Sequence, residues 1–411
     1  MRPERNALGM LQRATVSVVS VARVVAVLLL IPAFGLVRSV FPSLPHPLHS
    51  PSTNPILRVV SVGRAPELLI VDAWTGRAFV LNLAVDDVGN PTGPGTVSVL
   101  NASSGTLLHT VTLDKVPSSM IVDPSTGHVF VASIGFVGAN AYPDYPAHGR
   151  VSVLDAANGA LLRTVSVGAH PASLALDQRT RHIFVVNGDG LSVLDAATGA
   201  VLHVSPLVGS GSGYTAVDEQ AGRVFVSSYE PSRVSVYDAS SGRCLRTLSV
   251  GDHPAQVAVD SQTGRAFVSD ANNEAREVNI LDTTSATVLR TTVVGRLPGK
   301  IIVDERTQRA FVLTHGVDGG VSTLDARFGT LIRNSSISAQ VSDIALDTGA
   351  NRLYVTSDKG VSVLDARSGK VLRTVAVGGN VGAIAVDART RRVFVVNRGR
   401  ATVSVLDAMR L

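Results

Sequence analysis

The chain has 411 residues, of which 45% are apolar and 17% charged, and its formal net charge is +5. Residues 1–38 hold five arginines against one glutamate, so the rest is nearly neutral and no nucleic-acid partner is predicted. The single cysteine, Cys244, excludes an intrachain disulfide and a cluster of thiolate ligands for a metal.

Residues 1–38 are typical of a signal peptide or a membrane anchor. A basic start precedes the apolar run at 24–31, and Ala33-Phe34-Gly35 has the small residues of a cleavage site. An uncleaved anchor would place Arg23 inside the bilayer, at a cost of about 2.5 to 3.5 kcal/mol. Both of these alternatives predict an extracytoplasmic protein, secreted or membrane-anchored, that meets a membrane only through this segment. A misassigned start or a disordered leader is the remaining alternative. Residues 39–56, with five prolines and four serines, are predicted to be a linker.

A repeat begins after the linker, and its clearest marker is the strand-and-turn sequence VLDAxxG with its variants. The Asp or Asn of this marker occurs eight times, at intervals of 40 to 54 residues, namely at Asn101, Asp155, Asp195, Asp238, Asp282, Asp325, Asp365 and Asp407. A period of about 40 to 45 residues with four short apolar runs is the signature of a β-propeller blade.

Each repeat predicts four strands. An Asp followed seven positions later by an aromatic residue, as in Asp72 and Phe79, also occurs eight times. The innermost strand is expected to be small and apolar because it packs on both faces near the axis. The second strand is expected to wedge its aromatic side chain between blades. The third ends at VLDA, and the outermost mixes Arg and Thr into its pattern, as an edge facing water should.

The two ends of the repeat region predict how the ring closes. Residues 57–63 read as an outermost strand with no blade before it, and residues 403–407 as a third strand with nothing after it. One completes the other and removes an open edge. The sequence therefore predicts an all-β, eight-bladed β-propeller over residues 57–411, with the last blade closed by the N-terminal strand.

Three short segments resemble the repeats of the YVTN-repeat β-propeller family. They are FVVN at 184–187 and 394–397 and YVTS at 354–357, each followed by a VSVLDA-like strand. The resemblance covers residues 57–411. It implies an exported or surface-associated binding scaffold, since the repeats of that family specify a scaffold rather than an activity.

A second resemblance is to the eight-bladed quinoprotein dehydrogenases. LDAATG at 194–199 and LDARSGK at 364–370 look like their repeats. In those enzymes a Trp follows the Gly and docks between blades, whereas the outer strands here carry none and Trp74 lies in another turn. Vicinal cysteines and a carboxylate-rich calcium site are also missing from the sequence. No cofactor is therefore predicted, and an enzyme is the less favoured class.

The candidate binding residues lie in the turns that enter the innermost strands. His170 and His253 occupy the matching turns VGAHP and VGDHP, and Arg64 and Arg296 occupy the related turns. A zinc site usually needs three protein ligands and the related turns offer no third His, so the prediction is a polar channel rim without a metal. The repeated Asp residues are expected to accept backbone hydrogen bonds within their turns.

Two long insertions, residues 83–95 and 133–149, should lie at the same end as these turns. The second carries Phe136, Tyr142 and Tyr145 in a chain with only 4% aromatic residues. Aromatic side chains on a loop above a rigid scaffold suit a recognition surface. A cover that packs over its own blade is the alternative.

The leading functional hypothesis is an exported or membrane-tethered scaffold that recognises a protein, glycan or small ligand through one loop face. The alternative is a channel-mouth enzyme, such as a lyase, lactonase or hydrolase, that uses His170, His253 and nearby carboxylates. No nucleophile elbow, P-loop, zincin or dinucleotide motif stands in the repeats, so no catalytic residue is assigned.

Overall fold

The computed structural model describes residues 54–86, 89–114, 116–134, 149–206, 213–272 and 276–411. These residues form 32 strands arranged as eight four-stranded antiparallel sheets. No helix among them has the length and apolar character needed to cross a membrane. The predicted all-β, eight-bladed propeller is confirmed. The leader (1–38) and all of the linker (39–56) except its last three residues lie outside the described residues.

Each sheet is one blade, with its strands ordered from the channel outward. The innermost strands are β2 (Pro66–Asp72), β6 (Pro117–Asp123), β10 (Ser173–Asp177), β14 (Thr215–Asp218), β18 (Pro254–Asp260), β22 (Pro298–Asp304), β26 (Val341–Asp347) and β30 (Val381–Asp387). The second strands are β3 (Arg77–Asn82), β7 (His128–Ser133), β11 (His182–Asn187), β15 (Arg223–Ser228), β19 (Arg265–Asp270), β23 (Arg309–Thr314), β27 (Arg352–Ser357) and β31 (Arg392–Asn397).

The outer half of each blade follows the same order. The third strands are β4 (Thr96–Asn101), β8 (Arg150–Asp155), β12 (Gly190–Asp195), β16 (Arg233–Asp238), β20 (Glu277–Asp282), β24 (Gly320–Asp325), β28 (Gly360–Asp365) and β32 (Thr402–Asp407). The outermost strands are β1 (Ile56–Ser61), β5 (Leu107–Thr112), β9 (Leu161–Ser166), β13 (Val201–Pro206), β17 (Cys244–Ser249), β21 (Thr287–Val293), β25 (Leu331–Ser336) and β29 (Val371–Val375). Blades are numbered 1 to 8 from β2 to β30.

The ring is closed by the first strand, as the sequence predicts. β1 pairs antiparallel with β32, so that blade 8 has the order β1-β32-β31-β30. Backbone hydrogen bonds extend this pairing beyond both ends of β1, from Val62 N–H to the Ala401 carbonyl at 2.9 Å and from Asp407 N–H to the Pro55 carbonyl at 2.9 Å. Blade 8 therefore combines the two ends of the repeat region, and β30 contacts β2 of blade 1.

The aromatic residue of each second strand is wedged between blades, as predicted. These residues are at most 1% exposed: Phe79, Phe130, Phe184, Phe225, Phe267, Phe311, Tyr354 and Phe394. Phe79 of blade 1, for example, packs among Met120, Val129 and Leu154 of blade 2. Burying a Phe-sized side chain contributes roughly 1.5 to 3 kcal/mol, so the wedges are a principal source of cohesion between blades.

The innermost strands differ from expectation. They were expected to be packed on both faces, but several have a burial pattern in which every buried residue is followed by two half-buried ones, as in β2, β6, β18 and β22. The physical reason is the width of an eight-bladed ring, which leaves a channel along the axis whose wall these strands form.

Tight turns join the innermost strand of each blade to the second strand, and the third strand to the outermost strand. These turns lie at one end of the propeller, which we call the turn face. The Asp that ends an innermost strand accepts the amides two and three residues on, as Asp72 does from Trp74 at 3.0 Å and Thr75 at 3.3 Å. The predicted turn-stabilising role of these carboxylates is confirmed. In the turns after the third strands, Gly242 has φ +65, and a Cβ there would collide with the His203 imidazole of the preceding blade.

Candidate functional site

The rim face is the end of the propeller at which each outermost strand leads into the next blade and each second strand leads into the third. In seven blades one backbone hydrogen bond of 2.5–3.0 Å joins these two connections. Its donors and acceptors are Leu83 and Ala65, Ile134 and Val116, Gly188 and Ala169, Ala271 and His253, His315 and Arg296, Asp358 and Gln340, and Arg398 and Asn380. The prediction that both sets of loops share one end is therefore confirmed.

In blades 3, 5 and 7 the last residue of the second strand accepts a hydrogen bond from the amide two residues on and so helps to fix the loop that follows. In blade 3, Asn187 donates from Nδ2 to Ser192 Oγ at 2.9 Å, and its Oδ1 accepts the Asp189 and Gly190 amides at 3.0 and 2.9 Å. The Asn of the FVVN segment therefore builds the turn. A polar residue at this position supports the rim rather than lining it.

The two predicted rim histidines lie in turns with different conformations. His170 is exposed, with φ +50. His253 is half-buried, and its ring lies against that of Tyr229 of blade 4 with centroids 4.3 Å apart. Its backbone N–H donates to Asp270 Oδ1 at 3.1 Å. Within the described ranges, no group of three or more His, Cys, Asp or Glu side chains converges as a metal site.

Arg64 lines a pocket between blades 8 and 1, which we call the basic pocket. It has a volume of about 690 Å³, and its charged residues are Arg64, Glu67, Asp86, Arg398 and Arg400. Arg398 pairs with Glu67 at 2.6 Å, across the boundary between the blades. Among the described residues, the guanidinium groups of Arg64 and Arg400 have no partner. The pocket therefore keeps two cations free for a ligand.

The insertion at 83–95 forms one wall of the basic pocket. A bridge pairs Val85 with Pro91, and the amides of Asp86 and Thr92 donate to Asn90 and Ala84 at 2.9 and 2.7 Å. The described part of the insertion, residues 83–86 and 89–95, is thus paired as a short hairpin extension beside the pocket. Leu83, Val85 and Asp86 face into it.

A second, smaller pocket of about 310 Å³ adjoins the basic pocket and shares Asn380 with it. Its other lining residues include Gln340, Ser342 and Asp358, and Ser338 donates to the Asp358 carboxylate. The two pockets meet at Asn380 and together span the rim of blades 7, 8 and 1, a surface that we call the rim groove.

Arg296, the fourth predicted rim residue, is exposed in blade 6 and lies outside this groove. Its carbonyl accepts the amide of His315 at 2.9 Å. Burial lowers the pKa of His315, although a backbone hydrogen bond at Val341 acts in the opposite direction. An imidazole of this kind is neutral at physiological pH. The structure thus brings neither Arg296 nor the two histidines to Arg64.

Phe136, Tyr142 and Tyr145 lie outside the described residues, so their role in recognition stays a prediction. Arg398 and Arg400, in contrast, were missed by sequence reasoning. A signal was present, because the FVVN segment of blade 3 continues as Gly-Asp-Gly whereas that of blade 8 continues as Arg-Gly-Arg. In blade 8 this sequence forms a 3-10 turn at Arg398–Arg400, which places both arginines on the pocket.

The turn face has a cavity of its own, of about 440 Å³, lined by Tyr354, Arg391 and Met409 among others. Burial raises the pKa of Tyr354 to about 12, so its phenol stays protonated well above neutral pH. Trp74, which is 83% exposed, also lies on this face. Of the predicted site residues that the structure describes, none lines this cavity.

Fold and site together define an eight-bladed β-propeller with a polar groove on its rim face. Residues 93–271, which are less than half of the chain, match the family described as outer membrane protein assembly factor BamB. No curated protein matches the chain in sequence. The propeller implied by the YVTN-like repeats is confirmed, whereas membership of the YVTN-repeat family stays a prediction.

Solved structures show the same fold at low sequence identity. The computationally designed Ika8 protein is 15% identical, with a TM-score of 0.61, over 85% of this chain and 98% of that one. BamB from Moraxella catarrhalis is 13% identical, with a TM-score of 0.59, over 86% of this chain and 99% of that one. At these identities the likeness concerns the fold and carries no activity.

Proposed function

We propose that the chain is an extracytoplasmic scaffold, secreted or tethered to a membrane through residues 1–38, that binds a protein partner on its rim face. The observation that carries the proposal is the rim groove over blades 7, 8 and 1, which is open to solvent and holds two arginines without a partner among the described residues. The family match supports a protein as the ligand, because that family is described as an assembly factor for outer membrane proteins.

The rigid part of the molecule suits this role. Strand pairing and wedged aromatic side chains fix the blades, while the residues that vary between blades lie in the rim loops. Binding residues on loops held by a rigid scaffold lose little conformational entropy on association. A glycan or a small ligand remains the alternative occupant of the groove, and a channel-mouth enzyme the alternative class.

The proposed extracytoplasmic location is tested by chemical labelling of the single cysteine. Cys244 is exposed on the outermost strand of blade 4, so a membrane-impermeant maleimide should label it in cells whose cytoplasmic membrane is sealed. Labelling that appears only after lysis would contradict an extracytoplasmic location. A cytoplasmic marker protein with an exposed thiol controls for leakage.

Partner binding is tested by crosslinking in cells that produce the tagged full-length chain, followed by purification. The proposal expects one protein to be captured, and the purified pair to bind again saturably and in a fixed ratio. A chain that captures no protein but turns over an ester, lactone or lyase substrate would overturn it in favour of the enzyme.

A further inference from the structure

We propose that the basic pocket binds an acidic segment of the protein partner, with Arg64 and Arg400 holding its carboxylates and Arg398 available by exchange with Glu67. This inference rests on the proposed function and adds the chemistry of the ligand. It concerns the pocket between blades 8 and 1.

The charge of the pocket is the first argument. Three guanidinium groups and two carboxylates of the described residues line it, and among these five groups Arg398 and Glu67 form the one ion pair. Asp86 accepts the backbone N–H of Asn90 at 2.8 Å, so its carboxylate is engaged within its own hairpin. Like charges gathered in one pocket repel one another, and a ligand carboxylate relieves that repulsion. The planar fork of an arginine also suits a carboxylate, which it binds with two parallel hydrogen bonds.

The ion pair between Glu67 and Arg398 is the second argument. At 2.6 Å the Glu67 carboxylate already occupies one arginine, which demonstrates the geometry that a ligand carboxylate would use. Both side chains are substantially exposed, at 41% for Glu67 and 38% for Arg398. An exposed pair of this kind contributes little, so a partner carboxylate can replace Glu67 at little cost.

The loops around the pocket are the third argument, because the Asn residues that precede them in blades 1 and 8 are bonded differently from the matching Asn in blade 3. Oδ1 of Asn82 and of Asn397 are buried, and no donor among the described residues reaches either atom. The equivalent Oδ1 of Asn187 accepts two turn amides. Asn397 precedes the pocket-lining turn directly, and Asn82 lies under Gly63, beside Arg64. The loops of blades 8 and 1 therefore lack the two side-chain hydrogen bonds that fix the blade 3 turn, and they can adjust to an extended ligand.

The size and course of the groove favour a peptide over a small anion. The basic pocket falls within the range of about 300 to 1,000 Å³ found for ligand sites. It continues through Asn380 into the second pocket, so a ligand can extend beyond the arginines. Glu67 and Asp86 on the walls disfavour a densely charged polyanion, because its neighbouring phosphates would meet them.

The test uses the purified full-length chain and a fluorescent, end-blocked peptide, Gly-Asp-Glu-Asp-Gly, with Gly-Asn-Gln-Asn-Gly as the uncharged probe. We expect saturable binding of the acidic probe alone, weakened by added salt because the charges are exposed. Arg64→Gln and Arg400→Gln should each weaken it about tenfold, the effect of losing one charge-assisted hydrogen-bonding group.

Arg296→Gln is the matched control. Arg296 occupies the same position in VGRLP as Arg64 does in VGRAP, but on blade 6 and away from the groove. The Arg296→Gln variant should bind the acidic probe with unchanged affinity. Glu67→Gln should tighten binding by up to about fivefold because it frees Arg398, a gain that damage to the fold would not produce.

Equal losses from Arg64→Gln and Arg296→Gln, or no gain from Glu67→Gln, would overturn the proposal. So would equal affinity for free glutarate, which would identify a small-anion site. Partner capture is measured separately on the same variants. A partner still captured at full affinity by the Arg64→Gln, Arg400→Gln double variant would refute the pocket while leaving the proposed function standing.

Discussion

Replacing Gly242 with Ala tests how the turn after a third strand is fitted to the neighbouring blade. Gly242 has φ +65, a region that costs an L-residue about 1 to 2 kcal/mol. Its added Cβ would also collide with the His203 imidazole, and forcing a packed side chain to move costs about 1 to 3 kcal/mol. The two costs together predict a loss of roughly 2 to 5 kcal/mol in the free energy of unfolding.

Gly127→Ala is the matched control for this prediction. Gly127 has φ +68, but nothing lies within 4 Å of the added Cβ, so only the backbone cost of about 1 to 2 kcal/mol is expected. His203→Ser should remove the collision, so that Gly242→Ala costs no more in that background than Gly127→Ala does. Urea denaturation of the three single variants and of the Gly242→Ala, His203→Ser double variant measures these differences in the free energy of unfolding. Equal losses from both glycine replacements, or no rescue by His203→Ser, would refute the reasoning.

A chain that starts at Ala65 lacks β1 and should melt at a lower temperature than one that starts at Asn54, because β32 then keeps an open edge. Equal melting temperatures would refute the closure. Replacing residues 133–149 with a short turn should abolish partner capture and leave the circular dichroism spectrum unchanged if that loop recognises the partner, whereas capture at full affinity would eliminate it. The Ser241 amide and hydroxyl hold the pKa of Asp238 below its usual value, so the stability it contributes is present above about pH 3.9 and is lost as pH falls through the folded-state pKa. Asp238→Asn should therefore flatten the acid slope between pH 5 and 2 in thermal melts, and an unchanged slope would contradict that assignment.

The architecture was predictable because its signals recur eight times. A single VLDAxxG segment is a weak signal, but eight of them at nearly constant spacing, each with an aromatic wedge at a fixed offset from an Asp, leave few folds to consider. The closure was predictable for a different reason. The repeat region begins with an unpaired outermost strand, and its last blade lacks an outermost strand. The first strand therefore completes the last blade.

The innermost strands were harder to predict. Their composition is apolar in both a packed ring and an open one, and the width of the channel depends on how far eight blades must spread to accommodate their wedges. Half-burial of positions such as Leu68 and Ile70 follows from that geometry, which a local pattern does not contain.

The candidate site was only partly predictable. Arg64 was found because its turn matches those of the two histidines, but its neighbours come from the other end of the chain. Arg398 reaches Glu67 only because closure brings blade 8 beside blade 1. Combining the predicted closure with the unusual Arg-Gly-Arg after FVVN would have found the basic pocket. The histidines share a sequence motif with each other but not a conformation, since only His170 has a positive φ.

The central claim is that a protein partner binds on the rim face, and crosslinking from defined positions on each face of the propeller tests it most directly. A photoreactive amino acid at Val85 or Asn380 reports on the rim groove, and the same group at Trp74 reports on the turn face, where the native side chain is 83% exposed. We predict that both rim positions form a covalent adduct with the captured partner in cells and that Trp74 forms none. An adduct at Trp74 without one at either rim position would contradict the account.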